Sequence, residues 1–212
     1  MAKAASLPTA AALIPAKPSL SELRRISAGC QACHLWRSAT QTVFGAGRAK
    51  AAAMFVGEQP GNEEDIVGLP FVGPAGKLFD RALAEAGIDR EASYVTNVVK
   101  HFKWKPRGKR RIHAKPNSAE ITACLPWLQA EIAVVKPEVL VCLGATAAQA
   151  LLGKQFRVMQ RRGEIISAAF APVVIATVHP SSILRAADEN ARHSEMDHFI
   201  KDLKKVAMLL VS

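Results

Sequence analysis

The sequence predicts an α/β fold, a three-layer α/β/α sandwich around a central four-stranded, mostly parallel sheet, and two observations carry that expectation. Four short apolar runs, at residues 52–57, 93–99, 139–144 and 173–178, are each followed by a Gly, a basic stretch or a polar loop, as strands buried on both faces are. Around them lie segments with apolar residues at helical spacing, so strands alternate with helices. A chain of 212 residues, 50% of them hydrophobic, suits one such domain with a full core. No apolar run reaches the roughly 18 residues of a membrane span.

In order along the chain, residues 1–18 are rich in Ala, with Pro8, Pro15 and Pro18 breaking the apolar runs, and form a flexible or strapped-down arm ahead of a domain at 19–212. Ser19-Leu-Ser-Glu22 is a capping box that opens a short helix running into Cys30. The strand at 52–57 passes into the tight loop Gly57-Glu-Gln-Pro-Gly61. Residues 62–76 are expected to be loop, carrying Glu63, Glu64, Asp65 and Phe71. A helix with Leu78, Phe79, Ala82, Leu83 and Ala86 inward follows, closed by Gly87. The second strand places Asn97 near its carboxyl end. Asn117-Ser-Ala-Glu120 is another capping box, for a helix that Pro137 stops. Cys142 is central in the third strand, where core packing suits it. Residues 145–152 read as a short helix, and 157–166 as a small hairpin turning at Arg161-Arg-Gly163. The fourth strand ends in the loop His179-Pro-Ser-Ser182, and a last helix at 194–210 covers one sheet face with Met196, Phe199, Ile200, Leu203, Val206 and Leu210.

Charge is concentrated in one place. Residues 100–115 hold eight Lys or Arg among sixteen residues and no acid, and without those eight the formal charge of +10 falls to +2. A localised run of this kind is a docking surface for a polyanion or a solvated basic loop, and Phe102 and Trp104 interleaved with the charge favour nucleic acid. His113, beside Lys109, Arg110 and Arg111, is disfavoured from holding a proton and is available as a base or nucleophile. The four cysteines have no stabilising need to pair in a chain with a normal core, so a reducing cytoplasm is the simpler setting. Cys30-Gln-Ala-Cys33 has the spacing of a metal clip or a redox pair.

Three strand-end loops are expected to converge: Gly57-Glu-Gln-Pro-Gly61, Asn97 with the basic stretch, and His179-Pro-Ser-Ser182. Their residues, with Pro70-Phe-Val-Gly-Pro-Ala-Gly-Lys-Leu-Phe79 and Tyr94-Val-Thr-Asn-Val-Val-Lys100, resemble the ordered signatures of the iron-sulfur type-4 uracil-DNA glycosylases over about residues 20 to 210. Gln59 and the Lys-Arg-Arg-Ile-His segment ending at His113 most resemble the UdgX-type members, which become covalently joined to DNA.

The resemblance implies a uracil-DNA glycosylase-like fold and uracil-containing DNA as partner, with single strands accepted and the protein acting as a monomer. Phe71 would stack on a flipped uracil, Asn97 would pair with its edge, and Gly57 and Asp65 would complete the pocket. His179 would donate to the departing uracil oxygen, with Glu58 and Gln59 nearest the sugar. Lys109, Arg110, Arg111, Ser181 and Arg185 would hold DNA, with Leu184 or Arg185 as a wedge. His113 would attack the sugar C1′ in place of water. Two other outcomes stay open: a multiple-turnover glycosylase using water, and a non-catalytic protein that binds uracil or abasic sites. The ligand set implied is Cys30, Cys33, His101 and Cys124 around a 4Fe-4S cluster, His101 standing where relatives carry a cysteine. By spacing alone zinc would serve equally.

Overall fold

A computed structural model describes residues 9–211 of the chain, so residues 1–8 of the N-terminal arm lie outside the described residues. Thr9 caps a 3-10 turn at Ala10–Leu13, and Ala10 is fully buried in the core. Ser19 Oγ accepts the Glu22 N–H at 3.2 Å and starts α1 (Leu20–Ser27) as the capping box predicts. A second 3-10 turn (His34–Arg37) follows. The chain then runs through β1 (Ala46–Gly47), β2 (Ala53–Gly57), α2 (Asn62–Val67), α3 (Pro74–Ala86), β3 (Tyr94–Asn97), β4 (Trp104–Arg107) and β5 (Arg110–His113). It continues as α4 (Ser118–Val135), β6 (Val139–Leu143), α5 (Ala145–Leu152), α6 (Val158–Arg161), β7 (Ile166–Ala168), β8 (Ala171–Thr177), α7 (Pro180–Leu184) and α8 (Glu189–Leu210). Among the described residues no helix is long and apolar enough to cross a membrane.

The main sheet has six strands rather than four, in the order β1-β3-β2-β6-β8-β7. Its centre, β3-β2-β6-β8, is parallel throughout and corresponds to the four apolar runs. The antiparallel edges β1 and β7 are two and three residues long, too short to leave a periodic signal in the sequence. Alternation along the central strands sends successive side chains to opposite faces. Met54 and Val56 join a core with Leu23, Trp127, Leu128 and Ala147, so α1, α4 and α5 cover that face. Phe55 points to the other face, where Phe79, Leu83, Ile183, Phe199 and Leu203 place α3, α7 and α8. Cys142 is sealed in the first of these cores.

Several local expectations are corrected. Residues 62–76 are not all loop, because the Glu64 carboxylate accepts the Gly61 N–H at 3.0 Å and the Gly73 N–H at 2.8 Å, which nucleates α2 and pins the turn after it. Residues 157–166 do not form a hairpin at Arg161-Arg-Gly163. The Gly163 N–H bonds the Ala176 carbonyl at 2.9 Å and Arg162 is drawn onto Asp202 and Glu195, so the segment winds as α6 and the hairpin is β7–β8. Residues 180–184 are helical, and α8 begins at Glu189 because Asp188 caps it through the Ala191 N–H. Finally, the basic stretch is a β-hairpin, with Trp104 opposite His113 and Arg107 opposite Arg110. Its two-residue turn needs the left-handed backbone that Gly108 adopts at φ 58°.

Candidate active site

The carboxyl ends of β2, β3, β6 and β8 share one rim, and a cavity of about 780 Å³ opens there. Glu58, Gln59, Phe71, Asn97, His113, His179, Ser181 and Arg185 all line it. Gly57 lies beneath, where a Cβ would come within 2.8 Å of Phe71 Cζ and closer still to Asn97 Oδ1, so only glycine lets these two side chains meet over β2. Phe71 is buried with a left-handed backbone (φ 58°), a conformation costly for a bulky residue. Its ring stacks on His179 at 6.0 Å and 28°, and touches Phe79 at 5.3 Å.

His179 has a defined tautomer. The Ser181 N–H donates to Nδ1 at 3.1 Å, which makes Nδ1 an acceptor and leaves the proton of the neutral ring on Nε2. Burial, reinforced by the Arg185 charge, lowers its pKa from 6.5 to about 4, so it is a neutral donor at physiological pH. The folded pKa lies below the unfolded one, so this stabilisation is complete above pH 6.5 and is lost as pH falls toward 4. Calorimetry should show stability declining across that window, with up to roughly 3 kcal/mol from His179, and His179→Gln should remove that share while leaving the decline due to His101, whose pKa burial also lowers to about 4.

Glu58 is oriented by Thr146, whose hydroxyl donates to Oε2, while Oε1 faces His113 Nε2 at 3.4 Å. Burial lowers the His113 pKa, Glu58 opposes that shift, and Arg185 adds to it. The hairpin carrying His113 is held at two points. At its root Gln59 donates to the carbonyls of Lys103 (3.2 Å) and Ala114 (3.1 Å) and accepts the Lys103 N–H (3.1 Å), spending its whole amide on positioning. Along its flank Arg111 donates to Asp65 (2.6 Å), Asn62 (2.8 Å) and Thr40 (3.2 Å), and its guanidinium lies over Phe102 and Trp104. Asp65 is thus fully buried against the hairpin and Thr40, outside the cavity lining. Lys109 and Arg110 stand exposed at the hairpin tip.

Thr146 was not nominated from sequence, although it follows Gly144 at a strand end, where the same positional rule could have found it. Lys100 and Glu131 were missed as well. Fully buried behind the site, they pair with each other, and Lys100 Nζ also donates to the Asn97 carbonyl at 2.7 Å. No local signal marks them.

The expected metal centre is corrected. Among the described residues no three His, Cys, Asp or Glu side chains form a group that could hold a metal ion, so neither a 4Fe-4S cluster nor zinc is supported on Cys30, Cys33, His101 and Cys124. Three of the four groups have other partners. Cys30 Sγ accepts the Trp127 indole N–H (3.3 Å), Cys124 Sγ accepts the Lys100 N–H (3.2 Å), and His101 Nε2 meets the Thr42 hydroxyl (2.9 Å). Burial raises the Cys33 thiol and pushes Cys124 up to about 12, so both are protonated thiols as the chain stands.

Residues 44–204 match the family model of the uracil DNA glycosylase superfamily. The type-4 uracil-DNA glycosylase of Thermotoga maritima is 39% identical over 173 residues, covering 81% of this chain and 86% of that protein. That of Archaeoglobus fulgidus is 35% identical over 198 residues, covering 90% and 93%. On these matches the chain belongs to the uracil DNA glycosylase superfamily and is an enzyme, a DNA glycosylase of the hydrolase class.

Proposed function

We propose that the enzyme excises uracil from DNA, and the observation that carries this reading is the convergence of Phe71, Asn97, His179 and Glu58 on one cavity of nucleotide size. The extruded base stacks on Phe71 and pairs with the Asn97 amide. As the bond between C1′ and the base breaks, its electron pair leaves with uracil and the Nε2 proton of His179 stabilises the oxygen that becomes anionic. Glu58, held by Thr146, faces the cationic sugar. Arg185 and the exposed cations of the hairpin tip hold phosphates. Incubation with a uracil-containing single-stranded oligonucleotide is expected to release free uracil, and its absence would refute the proposal.

The acceptor at C1′ admits two readings. Kinship with type-4 enzymes supports water and repeated turnover. The placement of His113 favours a different outcome, in which the imidazole bonds to C1′ and the protein stays attached. The hairpin clamped by Gln59 and Arg111 holds a half-exposed ring 3.4 Å from Glu58, with its pKa lowered by burial, so an unprotonated nucleophile stands where water would otherwise enter. An alkylated imidazole is a poor leaving group, so such an enzyme acts once. With excess substrate, one equivalent of uracil and an SDS-resistant band that His113→Ala abolishes are expected of the trap. Many equivalents without a band establish water.

A further inference from the structure

Two apolar side chains at the cavity mouth have no part in the reaction above. Met159 on α6 is 69% exposed and Ile112 on β5 is 41% exposed, yet both line the cavity. An exposed methionine alone is unremarkable, but α6 is firmly fixed. Val158 beside it is buried, the Phe156 carbonyl ahead of it accepts the Gln149 amide at 3.2 Å, and behind it Arg162 binds Asp202 and Glu195. An anchored turn therefore holds a flexible, polarisable side chain in water at the cavity edge. Ile112 is held there by the hairpin clamp, from a different element.

Two cations, Lys115 and Arg185, line the same opening, along with the carboxylates of Glu58 and Glu64. Cations and apolar groups around one opening match a strand that offers phosphates and base faces together. When a nucleotide is extruded, its two neighbours lose a stacking partner and expose apolar faces at the mouth. We propose that Met159 and Ile112 are the lips that cover these flanking bases, making Met159 a binding determinant for single-stranded DNA. An unbranched thioether suits this role for any base, since it conforms to a face without reading its edge. The inference rests on the excision reading and concerns the bases beside the excised one.

The test measures binding to a single-stranded oligonucleotide with one tetrahydrofuran residue in place of the uridine, a probe that can be neither cleaved nor trapped. A second probe carries tetrahydrofuran at both flanking positions as well. Met159→Ala should weaken binding to the first probe about fivefold and leave binding to the second unchanged, while Met159→Leu stays within about twofold of the parent on both. Unchanged affinity of Met159→Ala for the first probe, or an equal loss on both probes, overturns the lips. Uracil release by the unmodified protein is assayed alongside: no release with the probe difference intact removes the excision reading and keeps the lips.

Discussion

Glu131→Ala is expected to destabilise the protein by about 3–5 kcal/mol, the cost of stranding a buried charge. Glu131 is fully buried and accepts from the Gly45 N–H (3.1 Å), the Tyr94 hydroxyl (2.8 Å), the Thr96 hydroxyl (3.0 Å) and the Lys100 ammonium. Truncation leaves that ammonium with the Thr96 hydroxyl, the Asn97 carbonyl and the face of the Phe44 ring but no counter-charge, deep in a low-dielectric core. Urea unfolding measures the loss directly. The double variant Glu131→Leu with Lys100→Met should recover much of it, because removing both charges removes the stranded one. Recovery of stability without recovery of excision is expected, since Lys100 also fixes the carbonyl of Asn97. If Glu131→Ala unfolds at the parental urea concentration, the pair does not hold the core.

Gly57→Ala is expected to lower uracil excision about a hundredfold or more while the chain stays folded. The added methyl would meet Asn97 Oδ1 and come within 2.8 Å of Phe71 Cζ, so both side chains proposed to hold the base must move. The loss should appear in single-turnover rates as well as in affinity, because a displaced Phe71 also disturbs the His179 ring stacked on it. Near-parental excision by Gly57→Ala would show that the base does not depend on this contact.

Much of the fold was legible because its signals are local. A helix cap needs four residues, as at Ser19 and Asn117, and both start helices where expected, with the full reciprocal box formed at Asn117. A strand buried on both faces needs only its own apolar run, and all four runs became the parallel centre of the sheet. Short elements escaped for the same reason. Edge strands of two or three residues carry no period, and α2 depends on a carboxylate that reaches Gly73, nine residues away.

The α/β class, the central strands and the convergence of polar loops at their carboxyl ends follow from local sequence, since in a parallel sheet strand direction alone dictates that rim. Tertiary structure decided what each polar group does there. Gln59 braces a hairpin 44 and 55 residues away, Arg111 reaches Asp65 across 46, and Thr146 orients Glu58 across 88. The same holds for Cys30, Cys124 and His101, which the resemblance implied as cluster ligands while their partners proved to be an indole, a backbone amide and a hydroxyl. Hydrogen-bond partners at such separations are chosen by how the layers pack, and packing is a property of the whole chain that no short motif contains.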